Sequence, residues 1–398
     1  MTRRLFATLI VLLALALPAR AQSTSPSTPQ ATVQDIVRFL VTNQGVATSD
    51  FDKDRAAAEA TRVTLSNALL ASISTVPVSS SSSGFSYRMN PALGTFERAS
   101  QTFGPLYVER ALTTGRGQAS VGFTLQYTKF NSLDGNNLQD GSFVTVANQF
   151  RDETTPFDTE TLTLNVQTRT ATFVGNFGLT NRLDIGTAVP FTQLSISGSR
   201  VNDYRGTELL QARATADTTG LGDIAVRTKI RLTPDGPAAA SIGVEARLPT
   251  GREEDLLGTG ELAMRFTGLG SYEAGVTSVY GNLTVGTGGI GRELSYSGAV
   301  AVAASARVTL VGEVLSRRFE GLDRIVAVSA PHPRISGVDT IRLIPTGEGE
   351  TTAFGVAGVK WNMGGTWLLH AHVLMPLVQN GLTGQFTPTI AIEHTFAR

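Results

Sequence analysis

From Gly117 to the C-terminus, apolar residues recur at every second position, in segments of about 10–20 residues that are long enough for tilted strands to cross a bilayer. A period of two is that of a β-strand, whose side chains point alternately to the two faces of a sheet. The first segment contains Val121, Phe123, Leu125 and Tyr127. Eleven more follow, at about 159–179, 182–197, 221–233, 238–249, 260–270, 272–288, 291–304, 306–319, 350–363, 366–378 and 384–396. The pattern predicts an all-β fold of about twelve strands.

Charged residues keep to one face of these predicted strands. In the segment 221–233 they alternate with an apolar set made of Ile224, Val226, Ile230 and Leu232. A lipid-facing arginine at the bilayer midplane costs about 2–4 kcal/mol, which is a physical reason for this separation. A soluble antiparallel sheet shows the same alternation with the opposite burial. For a barrel in a membrane, we expect these charged residues to face the lumen: Asp223, Arg227, Lys229, Arg231, Glu245, Arg247, Glu261, Arg265, Glu313 and Arg317.

The connections between the predicted strands alternate between short and long. Short turns are expected at Thr180-Asn181, Thr233–Pro237, Gly270-Ser271, Ala304-Ser305 and Gly364-Gly365. Longer loops are expected at 132–158, 198–220, 250–259, 320–349 and 379–383, with 289–290 a short exception. Outer-membrane barrels have short periplasmic turns and long external loops, and closure leaves no unpaired strand edge in hydrocarbon. We therefore predict a transmembrane antiparallel up-and-down β-barrel over residues 117–398, with both ends in the periplasm.

The final predicted strand ends on an aromatic residue, Phe396, which shares a face with Ile390 and Ile392. This ending is similar to the C-terminal signal by which bacterial barrels are recognised for assembly, although two residues follow the aromatic. We expect Phe396 to lie near the periplasmic rim and the barrel-assembly machinery to be a partner.

The first 116 residues follow a different pattern. Arg3 and Arg4 precede an apolar run from Leu5 to Leu17, and Ala19-Arg-Ala21 resembles a cleavage site, so residues 1–21 are interpreted as a secretory signal peptide. Thr32 and Asp35 predict a capped helix with the apolar stripe Val33, Ile36, Val37, Leu40 and Val41. A second helix is predicted from about Phe51 to Ile73, and Pro77 with Ser79–Ser83 indicates a linker. Residues 85–116 are expected to be irregular. The segment 22–116 lies either in the periplasm or in the lumen as a plug.

Composition narrows the function classes. The 398 residues contain no cysteine, which excludes disulfides and thiol chemistry, and the formal charge is zero, which gives no indication of a nucleic-acid partner. Charged residues make up 17%, against an ordinary value of about 25%. Low charge with 41 glycines fits strands and turns better than helices.

Several blocks resemble a known family. Residues 177–191, FGLTNRLDIGTAVPF, are similar to a hairpin of the outer-membrane proteins grouped as the meta-pathway of phenol degradation family. Gly220-Leu-Gly-Asp-Ile224, and Leu248-Pro-Thr-Gly251 with Leu257-Gly-Thr-Gly260, resemble further blocks of it. The resemblance covers roughly residues 117–396 and excludes the predicted helices. It implies a channel or transporter-like barrel, with some members linked to the degradation of aromatic compounds.

Three other features were weighed as sites. Gly286-Thr-Gly-Gly-Ile-Gly291 has the spacing of a dinucleotide loop, but a strand is predicted where that site needs a helix, so a plain loop is favoured. His370 and His372 share a strand face and are expected in the lumen, near Glu393, as hydrogen-bonding groups rather than metal ligands. His394 is the one candidate for a barrel-borne hydrolase, but no serine motif accompanies it.

The sequence thus favours an outer-membrane channel or transporter for small solutes, including hydrophobic or aromatic ones, and not an enzyme. No cofactor and no metal are expected; the partners are the lipid bilayer and a small-molecule solute. The lumen charges would either brace the wall or plug, or select solutes. A structural or adhesion barrel with a closed lumen, presenting loops 132–158 and 320–349, and a barrel hydrolase are the alternatives.

Overall fold

A computed structural model of the chain describes residues 31–41, 51–74, 84, 87–90, 95–98, 100–234, 236–332 and 335–396. The predicted signal peptide, residues 1–21, and the predicted linker at Pro77 and Ser79–Ser83 lie outside the described residues. The helices are α1 (Val33–Val41) and α2 (Phe51–Ser74). The strands are β1 (Tyr87–Asn90), β2 (Thr95–Arg98), β3 (Ala119–Leu133), β4 (Asn136–Asn137), β5 (Val144–Phe150), β6 (Asp158–Gly178), β7 (Leu183–Tyr204), β8 (Thr207–Leu221), β9 (Ile224–Arg231), β10 (Ala238–Leu248), β11 (Ala263–Ala274), β12 (Thr277–Thr287), β13 (Glu293–Ser305), β14 (Val308–Phe319), β15 (Ile325–Pro331), β16 (Val338–Pro345), β17 (Glu350–Gly364), β18 (Trp367–Pro376), β19 (Leu382–Gly384) and β20 (Thr387–Phe396).

Twelve strands form a closed antiparallel barrel, as predicted. These wall strands are β3, β6, β7, β9, β10, β11, β12, β13, β14, β17, β18 and β20. The barrel closes where β20 pairs with β3, from Phe396 opposite Ala119 to Thr389 opposite Gln126. Closure gives every wall strand a hydrogen-bonded neighbour along both of its edges, so the wall has no free edge.

Burial in the wall is the inverse of that in a soluble sheet. Along β9, Val226 and Ile230 are 44% and 49% exposed, whereas Arg227 and Lys229 between them are 8% and 4% exposed. The same inversion holds on other wall strands: large apolar side chains cover the outside, and charged and hydroxyl side chains are buried inside. The parity rule derived from the charges therefore assigned the two faces correctly.

The short turns define one end of the barrel, called here the turn side, and the long connections define the other, called the loop side. Both the start of β3 and the end of β20 lie on the turn side, because Ala119 pairs with Phe396. On the loop side, β4, β5, β8, β15, β16 and β19 extend the sheet, so that several predicted loops are paired strands. The range 198–220, expected as a loop, is a continuation of β7 paired with β8 across the turn at Arg205-Gly206.

One predicted turn is misplaced. Gly270 and Ser271 lie within β11, where Gly270 pairs with Gly281, and the chain turns instead at Gly275, whose φ is +59°. Gly-Ser is a common turn sequence, but small residues also occupy the wall, and only Gly275 has the left-handed backbone that a tight turn favours. The predicted segment 272–288 therefore contains the end of β11 as well as β12.

The N-terminal elements begin as predicted. Thr32 and Asp35 form a reciprocal cap on α1: the Thr32 backbone N–H donates to Asp35 Oδ2 at 3.0 Å, and the Asp35 N–H donates to Thr32 Oγ1 at 3.1 Å. The Thr32 hydroxyl also donates to Asp35 Oδ2, at 2.8 Å, and this bond, with that from the Thr32 N–H, lowers the pKa of Asp35 below its ordinary value. The range 85–116, predicted to be irregular, contains the β1–β2 hairpin. Neither α1 nor α2, as far as the structure describes them, combines the length and the apolar character that crossing a membrane requires.

Candidate functional site: the lumen and the segment inside it

Residues 100–118, called here the inner segment, lie inside the barrel and are bonded to inward-facing side chains of the wall. The segment enters the wall at the turn side, where the Gly117 N–H donates to the Gly178 carbonyl at 2.8 Å. Near it, the Thr114 N–H and hydroxyl both donate to Asp184 Oδ2, at 2.7 and 3.1 Å. These bonds hold residues 114–117 against the wall at the turn side.

Glu313 on β14 makes the most concentrated contact with the inner segment. Its carboxylate accepts three successive backbone N–H groups, from Leu106, from Tyr107 at 2.9 Å and from Val108 at 3.2 Å. The carboxylate is 4% exposed. Consecutive N–H groups that converge on one anion form a strong, charge-assisted site, so Glu313 fixes both the position and the direction of the chain here.

Two buried lysines bind carbonyl groups of the inner segment. Lys360 Nζ on β17 donates to the Pro105 oxygen at 2.7 Å, and Lys229 Nζ on β9 donates to the Arg110 oxygen at 3.0 Å. The wall thus supplies an anion for the donors of the segment and cations for its acceptors. This arrangement satisfies backbone groups that an irregular buried chain would otherwise leave unpaired.

Charged side chains of the inner segment complete the contact. Glu109 Oε1 lies 2.9 Å from Arg227 Nη1, and Glu109 Oε2 lies 3.7 Å from Lys229 Nζ. Arg110, which is fully buried, forms an ion pair with Glu273 at 3.3 Å. His372 Nε2 lies 2.8 Å from the Tyr107 hydroxyl.

The helices lie towards the loop side. The buried face of α1 and α2, which includes Val37, Leu40 and Leu69, packs with Phe130, Leu133, Leu162, Leu164, Leu194, Ile325 and Leu343. Those wall and loop residues belong to the strand ends opposite the turn side. The described part of the N-terminal region therefore contacts the interior of the barrel from the loop side to the turn side.

The predicted lumen charges fall into three groups. Arg227, Lys229 and Glu313 hold the inner segment. Two others hold connections: the Asp223 carboxylate accepts from the backbone N–H groups of Gly251 at 3.1 Å and Thr259 at 2.9 Å, and Arg231 donates to the Pro234 carbonyl at 2.7 Å. The third group, Glu245, Arg247, Arg265 and Arg317, lines a cavity.

Glu261 differs from the prediction, because it is exposed and precedes β11 rather than facing the lumen. Glu261 lies two residues before the strand begins, in a loop where side chains do not alternate between two faces. His370 and His372 are buried inside, as expected, at 3% and 8% exposure, and their rings stack at 5.8 Å.

This cavity is called here the central cavity. A row of charges crosses its wall from strand to strand: Glu245 lies 3.7 Å from Arg227, 2.8 Å from Arg247 and 3.4 Å from Arg265. Arg265 Nε also donates to Glu293 at 2.7 Å, past Gly286 on the intervening strand. A Cβ at Gly286 would lie 3.2 Å from Arg265 Cγ and 3.3 Å from Glu293 Cβ, so the glycine makes room for this pair.

Several residues of the lumen were not predicted from the sequence. Tyr107, Glu109 and Arg110 were overlooked because the inner segment has no periodicity to mark its inward side chains. Lys360 and Glu293 were detectable, since each alternates with apolar neighbours on its strand, as the chosen charges do.

The glycine-rich loop and His394 lie in ordinary structural settings. Gly286 and Thr287 end β12, and residues 288–292 form the connection to β13, which is a strand and not a helix, as predicted. His394 lies on the outer face, 4.4 Å from the Trp367 ring and 4.5 Å from the Phe396 ring, with Thr366 Oγ1 at 3.2 Å from its Nδ1. Over the described ranges, no three His, Asp or Glu side chains are grouped so as to hold a metal ion.

Three of the four blocks that carried the family resemblance, 220–224, 248–251 and 257–260, meet on the loop side. Asp223 of the block 220–224 binds Gly251 and Thr259 of the other two, and Thr250 Oγ1 donates to the Gly222 carbonyl at 2.7 Å. A Cβ at Gly251 would lie 2.7 Å from Gly258 Cα, so the two glycines allow the strands of this loop to touch. These three blocks therefore stabilise the structure of one loop, and these contacts account for their glycine, threonine and aspartate residues.

Comparison with known proteins finds no matching protein-family model and no matching curated protein. Among solved structures, the chain is similar to an outer membrane channel from Pseudomonas putida F1, with 14% identity and a TM-score of 0.46, over 72% of this chain and 98% of that one. It is also similar to the KdgM porin in complex with disordered oligogalacturonate, with 7% identity and a TM-score of 0.38, over 70% and 99%. A third is the Ralstonia pickettii toluene transporter TbuX, with 10% identity and a TM-score of 0.30, over 71% and 90%. At these identities the likeness concerns the barrel fold alone, and the meta-pathway family stays a prediction.

Proposed function

We propose that the protein is an outer-membrane channel for small solutes, narrowed by its own inner segment. The observation that carries the membrane placement is the inverted burial of the closed wall. Large apolar side chains such as Ile230, Leu283 and Val314 are about half exposed on the outside, at 49%, 58% and 49%, while arginines and glutamates are buried within. Such an outer surface is favourable in hydrocarbon and unfavourable in water.

Solute passage is supported by cavities that adjoin one another beside the inner segment. On the loop side, a second cavity, called here the loop-side cavity, is lined by apolar side chains such as Phe130, Phe319, Leu374 and Leu382 and also by Arg317 and Glu350. It shares Arg317 and Phe354 with the central cavity. A third cavity, towards the turn side, shares Glu109, Arg227, Glu245 and Thr267 with the central cavity. The three together follow the lumen.

The expectation of hydrophobic or aromatic solutes fits the aromatic and aliphatic side chains of the loop-side cavity better than the charged central cavity, although Arg317 and Glu350 also line the former. A solute that uses the whole path must therefore tolerate both environments. The resemblance to barrels linked with aromatic compounds supports a solute that contains an aromatic ring. The charged central cavity requires that the same solute also carry a polar group.

Single-channel recording in planar bilayers tests the proposal. The mature protein and a form lacking residues 22–116 are compared, and the shortened form is expected to give larger, steadier openings. Silence of both forms, with correct insertion shown by heat-modifiable migration, would remove the channel function.

A barrel with a closed lumen is the second candidate, and the dense bonding of the inner segment favours it. It predicts that the full protein is silent and that only the shortened form conducts. The hydrolase alternative would need ester hydrolysis that is lost in His394→Ala, and the position of His394 on the outer face, half-buried between the Trp367 and Phe396 rings, gives it no support.

A further inference from the structure

The outer face of the wall changes its chemistry abruptly along β3, β6, β7 and β8. The last apolar row of paired, outward-facing residues is Leu125, Ala171, Phe191 and Leu221. The next row towards the loop side, called here the boundary row, is Tyr127, Arg169, Gln193 and Thr219. The row beyond it, called here the polar row, is Lys129, Gln167, Ser195 and Asp217. Lipid-facing side chains are apolar across the hydrocarbon, so the bilayer ends at the boundary row.

The boundary and polar rows lie on a part of the sheet that projects past the rest of the wall. β8 ends at Leu221, and β9, which takes over the pairing with β7, begins at Ile224. Thr219 and Asp217 on β8 therefore stand beyond the loop-side end of β9. Because the long connections of an outer-membrane barrel are external, these two rows face the head groups of the outer leaflet.

Two cations lie close together on this projecting face. Lys129 on β3 and Arg169 on β6 are exposed, and Lys129 is opposite Gln167, two residues from Arg169. Such diagonal neighbours on antiparallel strands are about 7–8 Å apart, which long side chains bridge. Among the described residues, neither side chain takes part in a hydrogen bond or an ion pair.

The protein supplies no anion beside this pair of cations. The residues of β7 in both rows are uncharged, and the stretch 381–392, which flanks β3 on its other side, contains no charged residue. Asp217 is two strands from β6, or about 10 Å at a strand spacing of about 4.8 Å. Asp140, in the nearby connection, accepts from the Ser142 N–H at 2.9 Å and hydroxyl at 2.6 Å. The pair is thus a local positive charge at the edge of the bilayer.

We propose that Lys129 and Arg169 bind a phosphate group of the phosphorylated glycolipid that forms the outer leaflet of a bacterial outer membrane. An arginine fork matches two phosphate oxygens, and a lysine adds a point charge. Clusters of basic residues at a bilayer surface recognise anionic head groups in this way. Tyr127, whose hydroxyl donates to Gln167 Oε1 at 3.3 Å, lies at the boundary, where aromatic side chains flank the apolar band. The inference goes beyond the channel function and rests only on the membrane placement.

Native mass spectrometry of the full mature protein, refolded in detergent without glycolipid, tests the proposal with diphosphoryl lipid A as the probe. We expect saturable binding of the probe. Lipid A without its two phosphates keeps the sugars and acyl chains and is expected to bind at least about tenfold more weakly. Equal binding of the two forms would overturn a phosphate site. Inorganic phosphate at the concentration of the probe should not displace it, and displacement would overturn the assignment to a lipid.

A matched set of variants locates the site. Lys129→Gln/Arg169→Gln is expected to weaken binding of diphosphoryl lipid A at least about tenfold, because it removes both charges and keeps the chain lengths similar. Arg213→Gln, at an exposed arginine of β8 two rows beyond Asp217, is the control and should bind as the parent does. Unchanged binding in the double variant, or an equal loss in Arg213→Gln, would overturn the assignment.

Folding of the variants is checked by heat-modifiable migration, and both side chains are exposed, so little packing is lost. If the double variant does not fold, Lys129→Gln and Arg169→Gln are measured singly. Each should then weaken the phosphorylated probe and not the dephosphorylated one. Equal effects on the two probes would contradict a contact with phosphate.

The outcome is separable from that of the channel function. Lipid binding in detergent needs no conduction, so a protein that is silent in bilayers can still bind lipid A. A conducting protein that does not bind lipid A would keep its channel function and lose only this inference.

Discussion

The wall and the inner segment satisfy their backbone hydrogen-bonding groups in different ways. Each wall strand exchanges backbone hydrogen bonds with its neighbours, so its side chains are free to differ between an apolar outside and a charged inside. The inner segment has no neighbouring strand of its own. Apart from the backbone bonds to Gly178 at the turn side, several of its backbone groups bond to single side chains of the wall, such as Glu313 and Lys360. Strands paired through their backbones tolerate many side-chain substitutions. A segment held by a few side chains depends on each of those side chains.

The adjacent residues Glu313 and Val314 allow this difference to be tested at one place. Glu313 points inward and is 4% exposed, whereas Val314 points outward and is 49% exposed. A change at the first should release the inner segment and spare the wall. A change at the second should destabilise the wall itself.

Glu313→Ala is expected to have the largest effect. Three backbone donors lose their acceptor, and each unsatisfied buried donor costs about 1–3 kcal/mol, so the inner segment should be destabilised by roughly 3 kcal/mol or more. Trypsin should then cleave after Arg110, which is fully buried in the native protein. Glu261→Ala, which removes an exposed glutamate, is the control and should stay resistant. Equal resistance of both variants would show that Glu313 does not hold the segment.

Val314→Arg is expected to cost the wall about 2–4 kcal/mol, because it places a charge on the lipid face near the middle of β14. Urea unfolding in lipid vesicles, followed by heat-modifiable migration, measures this change. Val314→Leu at the same position is the control and should lie within about 1 kcal/mol of the parent. If the arginine variant were as stable as the leucine variant, the outer face of β14 would not meet hydrocarbon.

The smallest expected effect is at the start of α1. Hydrogen bonds from Thr32 lower the pKa of Asp35, so the folded helix binds the ionised form preferentially. The stabilisation is complete above the ordinary carboxyl pKa and is lost as pH falls through the lowered one, below about pH 4. Because Asp35 is exposed, the effect should stay below about 1 kcal/mol.

Amide hydrogen exchange of α1, corrected for the intrinsic rate at each pH, measures it. Protection should fall between pH 5 and pH 3 in the parent and stay level in Asp35→Asn. A parallel fall in both proteins would assign the loss to other groups.

The wall was predictable because its physics is local and periodic. Parity of charge separates inside from outside on strands such as β9, where Arg227 and Lys229 alternate with Val226 and Ile230. The turn between β11 and β12 was misplaced because Gly270 looks like a turn residue, although a glycine also serves in the wall. Strand ends were the weak point, and Glu261 fell on the wrong side of one.

The contacts of the inner segment could not be predicted from the sequence. Its partners are separated by large distances along the chain: Leu106, Tyr107 and Val108 bind Glu313, and Pro105 binds Lys360. Nothing in the residues 100–118 repeats, so no period points to the side that faces the wall. The capping box of α1 was predictable for the opposite reason, since Thr32 and Asp35 are three residues apart.

Cross-linking across the lumen tests the central claim most directly, and the absence of native cysteine makes the background clean. Ala111 contacts Ser241, whose hydroxyl donates to its carbonyl at 2.5 Å, while the next residue, Ile242, is 48% exposed outside the wall. With a short bis-methanethiosulfonate reagent, Ala111→Cys/Ser241→Cys should cross-link in intact outer membranes and Ala111→Cys/Ile242→Cys should not. Cross-linking of the second pair, or of neither, would contradict a segment held inside a wall of alternating faces.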